Sequence, residues 1–427
     1  MKETTHDQSN TTPSLRRRVV RVAFLSLLVA GAATLWFCRD PLRNLIFEKG
    51  VMLNDAPTEE AMESLVSQAK NPQTAIRALW SSKKIVHREA AIRQLSRFIP
   101  AGEPVPVQLE SVVLAAAMDP DMNVREAALA ILRGHKHPAL PEICVAQLQD
   151  NDPEVRQLGL DNLKQVSAEV GVPSVIPLLQ DSDPRIIAGS LKLLENWTGH
   201  TFGVKLAETV PAENKVTGLM EYGGESTAKA KAGAERAKAW WAEHRTEFTP
   251  VRHPVPAYAF AALEPVPAGD FSLSTLDGRR VRLSDFHGNV VLINFWTTWC
   301  TACIGEIPEL IELQKHHHDQ LVILGVSLDC VPDDDDDSHA GARPSPNEIR
   351  KKVARTVQTR GINYTVLLDE KDSAGARFNG GELPTTVIVD AEGNVRRRFI
   401  GARSLSVLEA MIAEASRPLP WTRRNVK

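Results

Sequence analysis

The sequence predicts a multi-domain chain: an N-terminal transmembrane helix, an all-α solenoid of repeats, and a C-terminal α/β domain built around a reactive dithiol. Three observations predict it. An apolar run spans 19–38, similar helical units recur between 55 and 200, and the apolar stretch Val290 to Trp296 leads straight into Trp299-Cys300-Thr301-Ala302-Cys303. At 427 residues the chain is long enough for two or three separate cores. Its 50 basic and 53 acidic residues leave a net charge of -3, which gives no sign of a nucleic-acid surface. The five cysteines, at 38, 144, 300, 303 and 330, are too scattered for a disulfide-stapled scaffold.

Residues 1–18 read as a polar tail ending in Arg16-Arg17-Arg18, and Val19 to Cys38 form an apolar run whose one charge is Arg21. At about 1.5 Å of rise per residue, such a run just crosses a bilayer core. Lys2, Arg16, Arg17, Arg18 and Arg21 outweigh Arg39, Arg43 and Lys49 on the other side, which places the tail in the cytoplasm and residues 39 onward outside. Ala30-Gly31-Ala32 could instead be the cleavage site of a signal peptide, but the apolar residues continue to Trp36-Phe37, as a retained single-pass anchor requires. The expected location is a bacterial inner membrane, with the C-terminal domain on the periplasmic side.

Between 55 and 200 the segments beginning at Arg88, Arg125, Arg156 and Ile187 align, and the last three share the lead-ins Asp121-Met-Asn-Val124, Asp152-Pro-Glu-Val155 and Asp183-Pro-Arg-Ile186. An Asp cap, often followed by Pro at the first helical position, starts a helix. Each unit therefore reads as a helix pair. This pattern resembles the short bacterial form of HEAT-type repeats, which implies pairs stacked into a solenoid that either binds a protein partner or acts as a spacer. Ile187, where arginine stood, suits a terminal unit. Cys144, alone in an apolar stretch, is expected in the core. Residues 201–269 read as an extension, with an Ala/Lys-rich helix from Ser226 to Arg245 whose Trp240-Trp241 packs on the last repeat, and then a proline-rich linker.

The dithiol domain is expected over 270–418. Alternation on either side of Asp277-Gly278 predicts a hairpin, and Val290 to Trp296 a strand buried on both faces. A helix follows, with Ile304, Ile307, Leu310 and Ile311 turned inward, Glu306, Glu309 and Glu312 elsewhere, and Pro308 expected to kink it. Leu321 to Leu328 forms a second strand, Ser345 to Arg360 a basic helix and Tyr364 to Leu368 a short strand. The hairpin Thr385 to Asp390 and Val395 to Ile400 precedes a last helix from Leu405 to Ala415.

Two cysteines at i and i+3 on a first helical turn share one face and can bond without moving the backbone. Cys300 then meets unpaired amides and the positive end of the helix, which favour the thiolate that attacks, while Cys303 resolves. Zinc would need a second ligand pair, and His316-His317-His318 points in different directions, so no metal or cofactor is expected. Asp333 to Asp337 lacks the alternating spacing of a calcium loop and reads as a solvated insertion. Cys330 is either an inert thiol or a third redox partner.

Phe271-Ser-Leu, Asp277-Gly278, Leu283-Ser-Asp-Phe286, Asn294-Phe-Trp296, Trp299-Cys-x-x-Cys303-x-x-Glu306-x-Pro308 and Leu383-Pro384-Thr-Thr-x-x-x-Asp390 together resemble the membrane-anchored TlpA/ResA-type thiol-disulfide oxidoreductases. The resemblance implies a thioredoxin-like fold that exchanges disulfides with protein substrates on the extracytoplasmic side, often in cytochrome c maturation. It also implies Cys300 as nucleophile, Cys303 as resolver, Pro384 as a cis-proline facing the dithiol, and Glu306 as a carboxylate handling the proton of Cys303. Asn294 stands where thioredoxins proper carry a buried aspartate. Thr301-Ala302 replaces the usual proline-containing dipeptide, which leaves the direction of electron flow open. A peroxiredoxin-like peroxidase is an alternative, since Thr297 precedes Cys300 by three residues, but Ile293 stands where its proline belongs. A scaffold whose dithiol only senses redox state is the other.

Overall fold

The computed structural model describes residues 66, 71–81, 84–99, 103–203, 212–213, 220–221, 224–248, 265–331 and 345–417. The expected tail 1–18, the anchor 19–38, most of the proline-rich linker and the Asp333 to Asp337 insertion lie outside them. Among the described residues no helix is long and apolar enough to cross a membrane.

The N-terminal unit is a succession of helix pairs: α1 (Pro72–Ser81) with α2 (Ile85–Phe98), α3 (Val107–Ala116) with α4 (Met122–Gly134), α5 (Leu140–Gln147) with α6 (Pro153–Leu163), and α7 (Ala168–Val175) with α8 (Pro184–Thr198). Asp121, Asp152 and Asp183 sit in extended backbone at the N-caps of α4, α6 and α8 and accept from the amides of Asn123, Glu154 and Arg185. The aspartates therefore start these helices as the lead-ins foretold. One apolar core runs through all the pairs and reaches α9 (Gly224–His244), whose Trp240 packs against it beside Phe202. Cys144 is fully buried in that core, and burial pushes its thiol up to about 12.

A ladder of arginines links successive pairs. Arg88 pairs with Asp119, Arg125 with Asp150 at 3.3 Å, and Arg156 with Asp181 at 2.8 Å. In each turn that same carboxylate also accepts from the amide of the next aspartate, Asp121, Asp152 or Asp183. The repeated arginines therefore hold one helix pair to the turn of the next. Ile187 takes the corresponding position in the last unit, where it is buried in the helical core.

The C-terminal unit is a mixed sheet of β1 (Ser272–Thr275), β2 (Arg280–Arg282), β3 (Val290–Trp296), β4 (Leu321–Ser327), β5 (Thr365–Leu368), β6 (Thr385–Val389) and β7 (Val395–Ile400), in the order β2-β1-β5-β4-β3-β6-β7. β3 is central, parallel to β4 and antiparallel to β6, and all seven of its residues are buried. Helices α10 (Thr301–His316), α11 (Pro346–Arg360) and α13 (Leu405–Ala415) cover one face. The short α12 (Gly375–Phe378), which no sequence signal announced, packs Phe378 on the other. This unit begins earlier than 270, because Val266 and Ala268 already bond to Val395 and Gly393 at 2.7 and 2.9 Å.

The two units are docked. Ile85 of α2 joins the core on the α12 face of the sheet, and the turns before α4 and α6 lie along β7, where the amide of Arg398 donates to the carbonyl of Pro120 at 2.9 Å. Arg398 pairs with Asp121 at 3.0 Å, Arg397 with Asp150 at 2.8 Å, and Arg403 with Asp152 at 3.0 Å. Nothing in the sequence singled out these three arginines. Arg397 and Arg398 are neighbours on β7 and Arg403 lies in the loop after it, and the partners that bury them stand more than two hundred residues earlier.

Candidate active site

β3 delivers the chain to the dithiol. Past Trp296 the loop is pinned by Asp329, whose carboxylate accepts from the amide of Thr298 at 3.0 Å and from its hydroxyl, and Cys300 then takes the N-cap of α10. Cys300 and Cys303 form a disulfide, with S–S 2.11 Å and Cα atoms 5.3 Å apart. Cys300 Sγ also accepts from the amide of Cys303 at 3.1 Å, so the sulfur lies against the positive end of the helix. Cys300 is 8% exposed and Cys303 2%; beside them the Trp299 ring is 56% exposed. The outer sulfur is thus the one nearest solvent, next to an uncovered aromatic surface.

Leu383 packs on the apolar cluster that holds both cysteines and Trp296, and the Leu383-Pro384 peptide is cis. Pro384 therefore follows directly on a residue of the dithiol cluster. The carbonyl of Pro384 accepts from the amide of Gly401 at 2.8 Å, which ties this loop to the end of β7.

Glu306 departs from its expected place. The sequence reading sets it away from the inward face of α10, whereas it is fully buried and Ile304 and Ile311 are only half-buried. The reason is helical geometry: residues 303, 306, 307, 310 and 313 fall on one stripe facing the sheet. Such a carboxylate needs partners. Asn294, on the same face of β3, donates to it at 3.1 Å and also to the Thr386 hydroxyl at 3.1 Å; the amide of Arg403 donates from the other side at 2.9 Å. Burial pushes Glu306 up to about 7, opposed by Arg403 and Asn294 and helped by Glu309. Tyr364 is likewise pushed up, by burial and then by Glu306.

Cys330 is a free, half-buried thiol pushed up by burial and by the carboxylates of Glu370, Asp329 and Asp369, all conditions that suppress a thiolate. His316 and His317 face Glu409 at 2.8 and 3.9 Å, and His318 faces Asp319 at 2.6 Å. Among the described residues no group of His, Cys, Asp or Glu could hold a metal ion.

A disulfide closed across the first turn of a helix, with a protonatable acid beneath it, is machinery for passing disulfides, and the sheet that carries it has the thioredoxin fold. Residues 265–398 match the AhpC/TSA family. The chain is 32% identical over 142 residues to the thioredoxin-like protein YneN of Bacillus subtilis, covering 33% of this chain and 74% of that protein. It is 32% identical over 135 residues to the thiol-disulfide oxidoreductase ResA of Geobacillus thermodenitrificans, covering 31% and 67%. A solved thiol:disulfide interchange protein of Chlorobium tepidum is 27% identical, spans 36% of this chain and 97% of its own, and superposes with a TM-score of 0.30. Through its C-terminal unit the chain belongs to the ResA-like thiol-disulfide oxidoreductases and is an oxidoreductase.

Proposed function

We propose that the protein exchanges disulfides with protein substrates on the outer side of a bacterial inner membrane, with Cys300 attacking and Cys303 resolving. The observation that carries this reading is the position of Cys300, the more exposed sulfur, capping α10. Acting as a reductant, the Cys300 thiolate attacks a substrate disulfide, forms a mixed disulfide and releases one substrate thiolate. Cys303 then gives its proton to Glu306 and attacks Cys300 Sγ, closing the internal disulfide and releasing the second substrate thiolate. The oxidising direction is the reverse. Pro384 presents the edge along which an extended substrate segment can lie.

A bond between two cysteines of one helical turn favours dithiol exchange over the peroxidase alternative. The apolar run 19–38 supports a membrane anchor and the outward location, and the family resemblance of the sequence motifs supports cytochrome c maturation as the setting. The succession of helix pairs fits HEAT-like repeats, which would bind a protein partner. Purifying full-length Cys303→Ala from cells tests the mechanism: a substrate should be trapped on Cys300 as a mixed disulfide that Cys300→Ser does not form. Absence of any trapped protein would argue for the redox-sensing scaffold. The reduction potential of the pair against glutathione then gives the direction, with values below roughly -200 mV marking a reductant.

A further inference from the structure

We propose that Arg403 is a positioning residue for the exchange reaction, and that Asp152 of the helical unit, by holding it, makes the repeats part of the redox centre. The inference rests on the reading of Glu306 as the proton acceptor for Cys303.

Three arginines enter the interface, but Arg403 alone among them also touches the buried acid. Its amide donates to Glu306 Oε1 at 2.9 Å. Its guanidinium donates to the carbonyls of Ile400, Gly401 and Ala402 at 3.1, 3.1 and 3.3 Å, and lies 4.7 Å from the centre of the Phe399 ring. The loop is thereby wound around the side chain of the residue whose amide it aims. What fixes that side chain is Asp152, which accepts from Nε at 3.0 Å and from Nη2 at 3.3 Å, both partners being buried. Asp152 is in turn fixed as the cap of α6, where it accepts from Glu154 at 3.0 Å. A continuous path therefore runs from a repeat turn through a guanidinium and a backbone amide to the acid under the dithiol.

The groups facing Glu306 are Asn294 from β3, the amide and charge of Arg403 from the loop after β7, Tyr364 from just before β5, and Glu309 from its own helix. Of these, Arg403 supplies the cation. A carboxylate that loses a nearby cation and a directed amide holds its proton to higher pH. Without its carboxylate anchor the guanidinium would turn toward solvent, so loss of Asp152 acts in the same direction.

The test is the rate at which full-length protein, loaded with glutathione on Cys300, releases it as Cys303 resolves, measured from about pH 5 to pH 9. Arg403→Gln should move the midpoint of this profile up by about one pH unit. Asp152→Asn should move it the same way by less, and the double variant no further than Arg403→Gln alone, because Asp152 acts only through Arg403. Asp121→Asn, which loosens the same interface without reaching Glu306, should leave the midpoint in place. If Arg403→Gln does not fold, Asp152→Asn carries the test by itself. An unmoved midpoint in these variants, or an equal displacement by Asp121→Asn, overturns the proposal. Glu306→Gln separates the two readings: if it leaves the midpoint intact, the role of Glu306 is wrong, whereas if it removes the midpoint while Arg403 and Asp152 have no effect, only the present inference fails.

Discussion

The amide of Cys303 points at Cys300 Sγ from 3.1 Å, so the resolving cysteine supplies one of the hydrogen bonds that stabilise the attacking one. Reduced Cys300 should consequently ionise well below an ordinary thiol. In Cys303→Ala, which keeps the amide, the rate of iodoacetamide alkylation of Cys300 should rise with a midpoint at least about one unit under 8.5. A midpoint at or above that value would mean that the helix end does not stabilise the thiolate.

Glu306 makes the stability of the protein depend on pH in a definite direction. Its folded-state value, about 7, lies above its ordinary 4.5, so between those values the folded chain binds the proton that the unfolded chain has lost. The stabilisation is complete below pH 4.5 and disappears as pH rises through 7. Across that window the wild type should lose on the order of 3 kcal/mol that Glu306→Gln does not lose, as measured by urea unfolding of the oxidised forms. Parallel curves for the two proteins would contradict the buried, poised carboxylate.

The arginine ladder predicts a sharp asymmetry between breaking a pair and removing it. Arg88→Ala leaves Asp119 buried with, among the described residues, the amide of Asp121 as its carboxylate's partner, and should cost about 3–5 kcal/mol in denaturant unfolding. Arg88→Met combined with Asp119→Asn removes both charges and should recover most of that loss. If the single and double variants are equally unstable, packing rather than charge pairing holds the helix pairs together.

Arg398 has no exposed side-chain surface, and it holds Asp121 together with the carbonyls of Phe378 and Asn379. Burial pushes Asp121 up to about 6 against the pull of Arg398. Arg398→Ala should cost about 3–5 kcal/mol at neutral pH and split calorimetric unfolding into separate transitions for the helical and thioredoxin-like units. One unchanged transition would show that the interface adds nothing to cooperativity.

The parts legible in the sequence were those with local causes. An unbroken run of apolar residues made β3 a central strand, Asp-Pro lead-ins marked helix starts, and two cysteines a turn apart marked the reactive pair. Glu306 was legible only as a type of residue: its spacing from Cys303, Ile307 and Leu310 already put it on the buried stripe, but charge suggested solvent. Arg397, Arg398 and Arg403 were not legible at all, because their burial depends on carboxylates brought to them by the fold. The doubled aspartates at 119 and 121, 150 and 152 and 181 and 183 gave no clue either, because each is already accounted for by a helix cap or by a ladder arginine.

β7 is one of the two edge strands of the sheet, and beyond Val395, which bonds to Val266, its edge meets the carbonyl of Pro120 beside the carboxylates of the repeat turns. A fragment beginning near residue 265 would expose that edge together with three arginines deprived of their counter-charges. Open strand edges recruit other strands, so the excised redox domain should self-associate more strongly than the intact chain. The repeats thereby act as a built-in shield for the domain whose chemistry they adjoin.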